Sequence, residues 1–301
     1  MLTVRSKRAK ASVVLLTFLL SASRSAALAP DDKPLLWNVP VGQVACPTDN
    51  TAIWSHYRGG HDCIRYFAAG KLEHAPLALV VFYGDRRDWI KRDPAAIPRN
   101  TPLAQHAYAA SLSSRFGLPI ILLARPGTFG SSGNHFHRRQ EAEFLALNGA
   151  LDEIRQRYGI RRFTFAGQSG GATAAAALLT LGRTDISCAV LTSGAYALLD
   201  RAEFLRKQNG YPSRPGLDTT GLPHPYDPLT HVDGIAKDKD RLIIIIGSRK
   251  DRVTPFHFQK QFADAIRMRG HRVRLMEHAA PPPLHHALAN VGLEVAAKCE
   301  K

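Results

Sequence analysis

Gly167-Gln168-Ser169-Gly170-Gly171 sets one serine between glycines, directly after the apolar run Phe163-Thr164-Phe165-Ala166. The small, helix-forming run Ala172-Thr173-Ala174-Ala175-Ala176-Ala177-Leu178-Leu179 follows at once, so the order reads as strand, tight turn, helix. A serine on such a turn has its hydroxyl exposed, and the N-terminus of the helix faces whatever that hydroxyl attacks. The five-residue pattern also arises by chance. Its meaning therefore rests on what stands downstream.

Leu242-Ile243-Ile244-Ile245-Ile246-Gly247 is an uninterrupted, mostly β-branched run, as in a parallel strand buried on both faces. It leads into a polar turn that carries Asp251. Phe256 to Met268 reads as an amphipathic helix ending at Gly270, and Arg272 to Glu277 as a last strand of largely alternating polarity. The loop beyond carries His285 and His286. A serine hydroxyl is a poor nucleophile at neutral pH without a base, and histidine is the side chain that titrates near that pH.

With nucleophile, acid and base in the order Ser169, Asp251, His286, the chain resembles the α/β-hydrolase superfamily from about Leu77 to the C-terminal helix. The resemblance is of the esterase and prolyl-oligopeptidase-like kind. It implies an α/β fold with a mostly parallel central sheet, helices on both faces and a short loop-rich cap. It also implies an acylation mechanism, in which His286 takes the Ser169 proton and Asp251 fixes the imidazole tautomer. His286-Ala287-Leu288 is similar to the family's histidine, small, apolar pattern, which favours His286, with His285 as the alternative base.

Such a mechanism needs two donors for the developing oxyanion, one from the residue after the nucleophile and one from the loop after an earlier strand. Gly170 is the first. The run Leu77 to Phe82 reads as a buried strand leading into Tyr83-Gly84-Asp85, where many relatives carry His-Gly. The backbone N–H of Asp85 is thus the second candidate. Tyr83 resembles the prolyl-oligopeptidase tyrosine whose hydroxyl joins the hole; a plain wall residue is the other reading.

Elsewhere, Pro119 to Ala124 reads as a strand, Arg139 to Tyr158 as the crossover helix, and Ile186 to Leu191 as the strand after the elbow. An insertion at about 195–238 is expected to be loop-rich. An excursion there resembles a cap, which makes Tyr211, Leu222 and Tyr226 candidate substrate contacts; a surface connection is the alternative. The glycine-rich Arg125 to Gly133 lacks the Gly-Lys-Ser/Thr ending of a phosphate loop and is similar to an α/β-hydrolase loop near the active site. His135 and His137 have no cysteine or aspartate at ligand spacing, so surface histidines are expected and no metal. No cofactor is expected either.

Residues 1–27 read as a secretory signal peptide: Arg5, Lys7, Arg8 and Lys10, then the apolar stretch Ala11 to Leu20, then small residues with cleavage expected after Ala27. Residues 28–301 remain as one hydrolase domain in the periplasm or outside the cell. Removing the leader takes five basic residues and no acidic one, which leaves 35 basic against 25 acidic residues and a charge of +10. That balance suits anionic envelope lipids or anionic substrates, and no nucleic-acid motif accompanies it. In an oxidising compartment Cys46 and Cys63 are expected to bridge, closing a loop worth about 3 kcal/mol. Cys188 lies in an apolar run and reads as a buried thiol, its pairing with Cys299 being unsupported by the sequence.

The function expected is exported serine hydrolysis of a carboxylic ester. A peptidase or amidase of the same fold is the alternative, and a catalytically silent envelope binding protein the further one. The expected partner is a small ester or peptide, with no stable membrane span once the leader is gone. Oligomeric state and substrate identity are left open by the residues.

Overall fold

Runs such as Leu242–Gly247 carry apolar side chains on both faces and are stable only where both are covered. The computed structural model describes residues 32–299, so the leader read at residues 1–27 lies outside the described residues. Its strands are β1 (Ala52–Tyr57), β2 (Gly60–Ala69), β3 (Leu77–Phe82), β4 (Ile120–Leu123), β5 (Arg162–Gln168), β6 (Ile186–Thr192), β7 (Leu242–Gly247) and β8 (Arg272–Glu277). They form one eight-stranded sheet in the order β1-β2-β4-β3-β5-β6-β7-β8. β2 runs antiparallel to β1 and β4, and every other neighbouring pair is parallel.

The helices are α1 (Pro102–Phe116), α2 (Glu141–Tyr158), α3 (Gly170–Thr180), α4 (Leu198–Gln208), α5 (Phe256–Met268) and α6 (Ala289–Ala296). Alternate strand residues feed two separate cores. Ala78, Val80 and Phe82 pack with Phe144 and Leu147 of α2, the alanines of α3, and Phe262 of α5. Leu79 and Val81 pack on the other face with Ala109 and Leu112 of α1 and Leu293 of α6. Each fully buried Ile, Leu or Phe contributes about 1.5 to 3 kcal/mol, so the sheet is held from both sides. β8 closes the sheet with the exposed Arg272, Arg274 and Glu277 alternating along it, which discourages pairing with another edge.

Several local expectations change. The crossover helix begins at Glu141, because Arg139 takes a left-handed φ of 70° and its side chain turns inward. The segment between the bridged cysteines, residues 47–62, contains β1, which turns into β2 through Arg58 and Gly59 with Tyr57 opposite Gly60. The insertion is helical at both ends, with α4 first and a short 3-10 helix at Pro228–Gly234 last. Cys46 and Cys63 are bridged, with Cα atoms 5.6 Å apart. Cys188 is not a free thiol: it is bonded to Cys299, because the residues after α6 return across β6 and bring the two Cα atoms to 6.3 Å. Among the described residues no helix is long and apolar enough to cross a membrane.

Candidate active site

Ser169 stands between the last residue of β5 and the first of α3 with φ 56° and ψ −123°, a conformation that costs a side-chain-bearing residue about 1 to 3 kcal/mol. The surroundings impose it. Its N–H donates to the Thr192 carbonyl at 2.9 Å, and its own carbonyl accepts from Ala172 and Thr173 at 3.0 and 3.1 Å. A side chain at Gly167 would lie 2.5 Å from the Gly171 carbonyl, and one at Gly171 would strike the Phe82 carbonyl. Glycine on both sides is what lets strand, turn and helix cross so closely. Gly170 opens α3, so its N–H has no acceptor within the helix.

Asp251 and His286 come from the loops after β7 and β8. Asp251 Oδ2 lies 2.8 Å from His286 Nδ1. The carboxylate also accepts from the Val253 and Thr254 N–H groups at 2.7 and 2.9 Å and from the Thr254 hydroxyl at 2.8 Å. A carboxylate that only accepts requires Nδ1 to carry the hydrogen, which leaves Nε2 as the free base. The Asp251 side chain is fully buried while the His286 ring keeps part of its edge exposed. His285 makes a different contact: its Nδ1 meets the Ala280 carbonyl at 2.8 Å, and it lines a cleft with Phe204, His257 and Asp251, in whose wall neither Ser169 nor His286 stands.

Gln168, the variable residue before the serine, joins these parts. Its Nε2 donates to the His286 carbonyl at 2.8 Å, and its Oε1 accepts from the Thr192 hydroxyl at 3.0 Å and the Leu288 N–H at 3.2 Å. Ser193 Oγ donates to the same His286 carbonyl at 2.9 Å. The backbone of the histidine loop is thereby pinned to the elbow.

The loop after β3 runs against the elbow, for a side chain at Gly84 would meet the Gln168 carbonyl at 2.9 Å and Ser169 Cβ at 3.3 Å. The N–H of Asp85 has no acceptor among the described residues. Its carboxylate is clamped by Arg125 at 2.7 Å, Arg139 at 2.6 Å and Arg138 at 3.2 Å. Burial pushes that carboxyl up, but Arg139, Arg125 and Arg138 outweigh it and hold it well below the usual range. Arg125 is itself fully buried and also paired with Glu143 at 2.6 Å.

Tyr83 is a correction. Its hydroxyl donates to Gln105 Oε1 at 2.6 Å, and its ring tilts over Phe129, so its one proton is committed to α1 and not to an oxyanion. Tyr226 is another. It stacks on His231 and its hydroxyl meets that of Thr180, at the end of α3 remote from Ser169, about 15 Å along the helix at 1.5 Å per residue. Tyr211 is 68% exposed just beyond α4. Leu222 lines a cavity of about 450 Å³ with Asn134, His137 and Arg138, and neither Ser169 nor His286 is in its wall. His135 is not on the surface: it is 1% exposed, and burial with Arg125 nearby pushes its pKa down to about 3.

The sequence pointed to the loop opening at Arg125 as lying near the active site, without the ion pairs of Arg125 itself, whereas Gln168, Arg138, Arg139 and Arg201 were not foreseen as parts of this region. The available signal was the tandem Arg138-Arg139 beside a glycine-rich loop, an unusual density of charge between apolar strands. Arg201 had none, because its partners Thr219 and Val253 lie far along the chain.

No protein-family model and no curated protein sequence matches the chain. Solved structures do. An esterase from Pyrococcus furiosus is similar at 13% identity and a TM-score of 0.55, covering 89% of this chain and 96% of that one. An esterase from Butyrivibrio proteoclasticus is similar at 11% identity and a TM-score of 0.52, covering 83% and 97%. An acylaminoacyl peptidase from Pyrococcus horikoshii follows at 14% identity and a TM-score of 0.50, covering 83% of this chain and 40% of that one. Taken with the strand order and the elbow between β5 and α3, these likenesses establish that the chain has the α/β-hydrolase fold.

Proposed function

We propose that the protein is a serine hydrolase that cleaves a carboxylic ester through an acyl-enzyme on Ser169. The observation that carries this reading is the Asp251–His286 hydrogen bond of 2.8 Å, set in loops pinned by Gln168 to a strained serine elbow. His286 Nε2 takes the Ser169 proton as Oγ bonds to the ester carbon, and the carbonyl π pair moves onto oxygen. The N–H groups of Gly170 and Asp85 receive that oxyanion. Collapse breaks the bond to the alkoxide, which leaves with the proton from Nε2. Water then attacks the acyl carbon, gives its proton to His286, and the acid departs as Ser169 recovers its hydrogen. Asp251 stays ionised throughout and stabilises the imidazolium.

Two disulfides are at home in an oxidising compartment and support the exported location read from residues 1–27. A peptidase reading stands second, favoured by the likeness to an acylaminoacyl peptidase. Short-chain aryl and alkyl esters assayed beside N-acylated aminoacyl amides separate the two. Ester turnover alone supports the esterase, amide turnover at comparable kcat/KM supports the peptidase, and turnover of neither, with Ser169 unreactive, rejects both.

A further inference from the structure

The cavity of about 450 Å³ that Leu222 lines is walled by three parts of the chain: Asp62 of β2, the β4–α2 loop with the first turn of α2, and the insertion from Leu222 to His224. Its size lies in the range of about 300 to 1,000 Å³ usual for small-molecule sites. Neither Ser169 nor His286 stands in the wall, so whatever fills it is not held by the candidate catalytic residues. Pro126, Ala142, Leu222 and Pro223 give it an apolar lining into which a few polar groups are set, as such sites commonly have.

Several of those polar groups are already engaged. Glu143 Oε1 accepts from Arg125 Nε at 2.6 Å, and its Oε2 accepts from the Arg139 N–H at 2.6 Å. Asn134 Oδ1 accepts from the Phe136 N–H, and Gln140 Nε2 donates to the Pro223 carbonyl. Two charged groups are only half engaged. Arg138 is 4% exposed; its Nε donates to Asp85 at 3.2 Å and its Nη1 to the His135 carbonyl at 3.1 Å, while Nη2 has no acceptor among the described residues. Arg125 Nη2 is sealed away without a partner, but Arg138 Nη2 is not sealed, and it is the end of this buried guanidinium left to the cavity that Arg138 lines. Asp62 Oδ2 accepts from the Tyr57 hydroxyl at 2.6 Å, and among the described residues Oδ1 has no donor and the carboxylate no cation. Oδ1 lies 3.8 Å from where a Gly133 side chain would start, and Gly133 belongs to the same wall.

A guanidinium N–H and a carboxylate oxygen set in an apolar wall bind most strongly a ligand charged oppositely to each. Arg138 is paired with Asp85 and not with Asp62, although both line the cavity, so the two free ends stand apart. A molecule that meets both has opposite charges at its two ends and an apolar body between them. We infer that the cavity binds a small zwitterion of this form, with its carboxylate on Arg138 Nη2 and its ammonium on Asp62 Oδ1, a dipeptide with apolar side chains being the simplest. A free amino acid carries both charges on one carbon and reaches only one of the two partners. The site does not depend on what Ser169 does.

Calorimetric titration tests it in S169A, where that serine cannot cleave the probe. The probes are leucylleucine, leucylalanine and alanylleucine, the N-acetyl form of each, which lacks the ammonium, the C-terminal amide of each, which lacks the carboxylate, and leucine. At least one dipeptide is expected to bind, with its two capped forms and leucine weaker by about tenfold or more, the loss of one charge-assisted hydrogen bond. S169A/D62N keeps an acceptor for the Tyr57 hydroxyl and should erase the difference between the dipeptide and its N-acetyl form. S169A/R138Q should erase the difference between the dipeptide and its amide. Because Arg138 also clamps Asp85, that variant is checked by urea unfolding, and if it does not fold, the capped series in S169A and the D62N result decide. No binding of any of the three dipeptides, capped forms that bind as well as the free ones, or an undiminished preference for the ammonium in S169A/D62N overturns the inference.

Discussion

Gly84→Ala adds one methyl group to the loop proposed to carry an oxyanion donor. The new Cβ would lie 2.9 Å from the Gln168 carbonyl and 3.3 Å from Ser169 Cβ. Ordinary contacts start near 3.4 Å, so the loop or the elbow has to give by about half an ångström. The elbow is the less yielding of the two, held by the Ser169 to Thr192 bond and by buried α3. The displacement therefore falls on Gly84 and Asp85. An oxyanion donor works at about 2.7 to 3.1 Å, and losing one costs about 3 to 4 kcal/mol, or roughly a hundred- to thousandfold in kcat. KM should change far less, since the ground-state carbonyl depends little on that donor. The assay is steady-state hydrolysis of a short aryl ester, run beside urea unfolding of the same protein. A kcat within about threefold of wild type, with the variant fully folded, would remove this loop from the mechanism.

Other consequences are equally open to test. D251N should keep the fold but lose about four orders of magnitude in kcat, because the amide lets His286 adopt the wrong tautomer; a loss under tenfold would contradict the role given to Asp251. His135 is charged in the unfolded chain below about pH 6.5 and held neutral in the fold, so its contribution is whole above that pH and is lost on acidification toward its folded pKa of about 3. Each pH unit in that window costs about 1.4 kcal/mol, and H135L should flatten the pH dependence of unfolding by that slope, an unchanged slope speaking against it. C46S/C63S should lower stability by about 3 kcal/mol in denaturant unfolding with activity retained at low denaturant, and a change below about 1 kcal/mol would mean that the loop is held by other contacts.

The elements legible in the sequence are those governed by local pattern. β3, β7, α5 and β8 occupy the residues expected for them, because apolar runs and a 3.6-residue period are local signals. The elbow was legible for the same reason, its glycines and alanine-rich helix being contiguous. What failed depends on distant partners. Cys188 looked like a core thiol because nothing in β6 shows that the chain returns after α6 to place Cys299 beside it. Tyr83 and Tyr226 looked like site residues because aromatic rings suit both clefts and cores, and it is Gln105 and Thr180 that decide between them. Asp85 comes from the loop after β3, Arg125 and Arg139 from opposite ends of the connection between β4 and α2, and they meet only when the C-terminal ends of β3 and β4 lie side by side. A charge cluster of that kind is a property of the fold and not of any segment.

The cluster also explains why a loop so close to the serine holds a buried aspartate. Removing the Asp85 carboxylate would leave Arg125, Arg138 and Arg139 facing one another with only Glu143 and Asp218 to compensate. The anion thus fixes the backbone of the residue whose N–H is proposed to meet the oxyanion. Charge pairing, rather than packing alone, positions the loop.

The hydrolase reading stands on Ser169 being an activated nucleophile with His286 as its base. Intact-mass measurement of the purified protein after incubation with a small fluorophosphonate tests it most directly, beside S169A and H286A. A single adduct on Ser169 is expected, absent from S169A and formed far more slowly by H286A. A folded wild-type protein that gains no adduct, or one that is labelled as fast without His286, would contradict it.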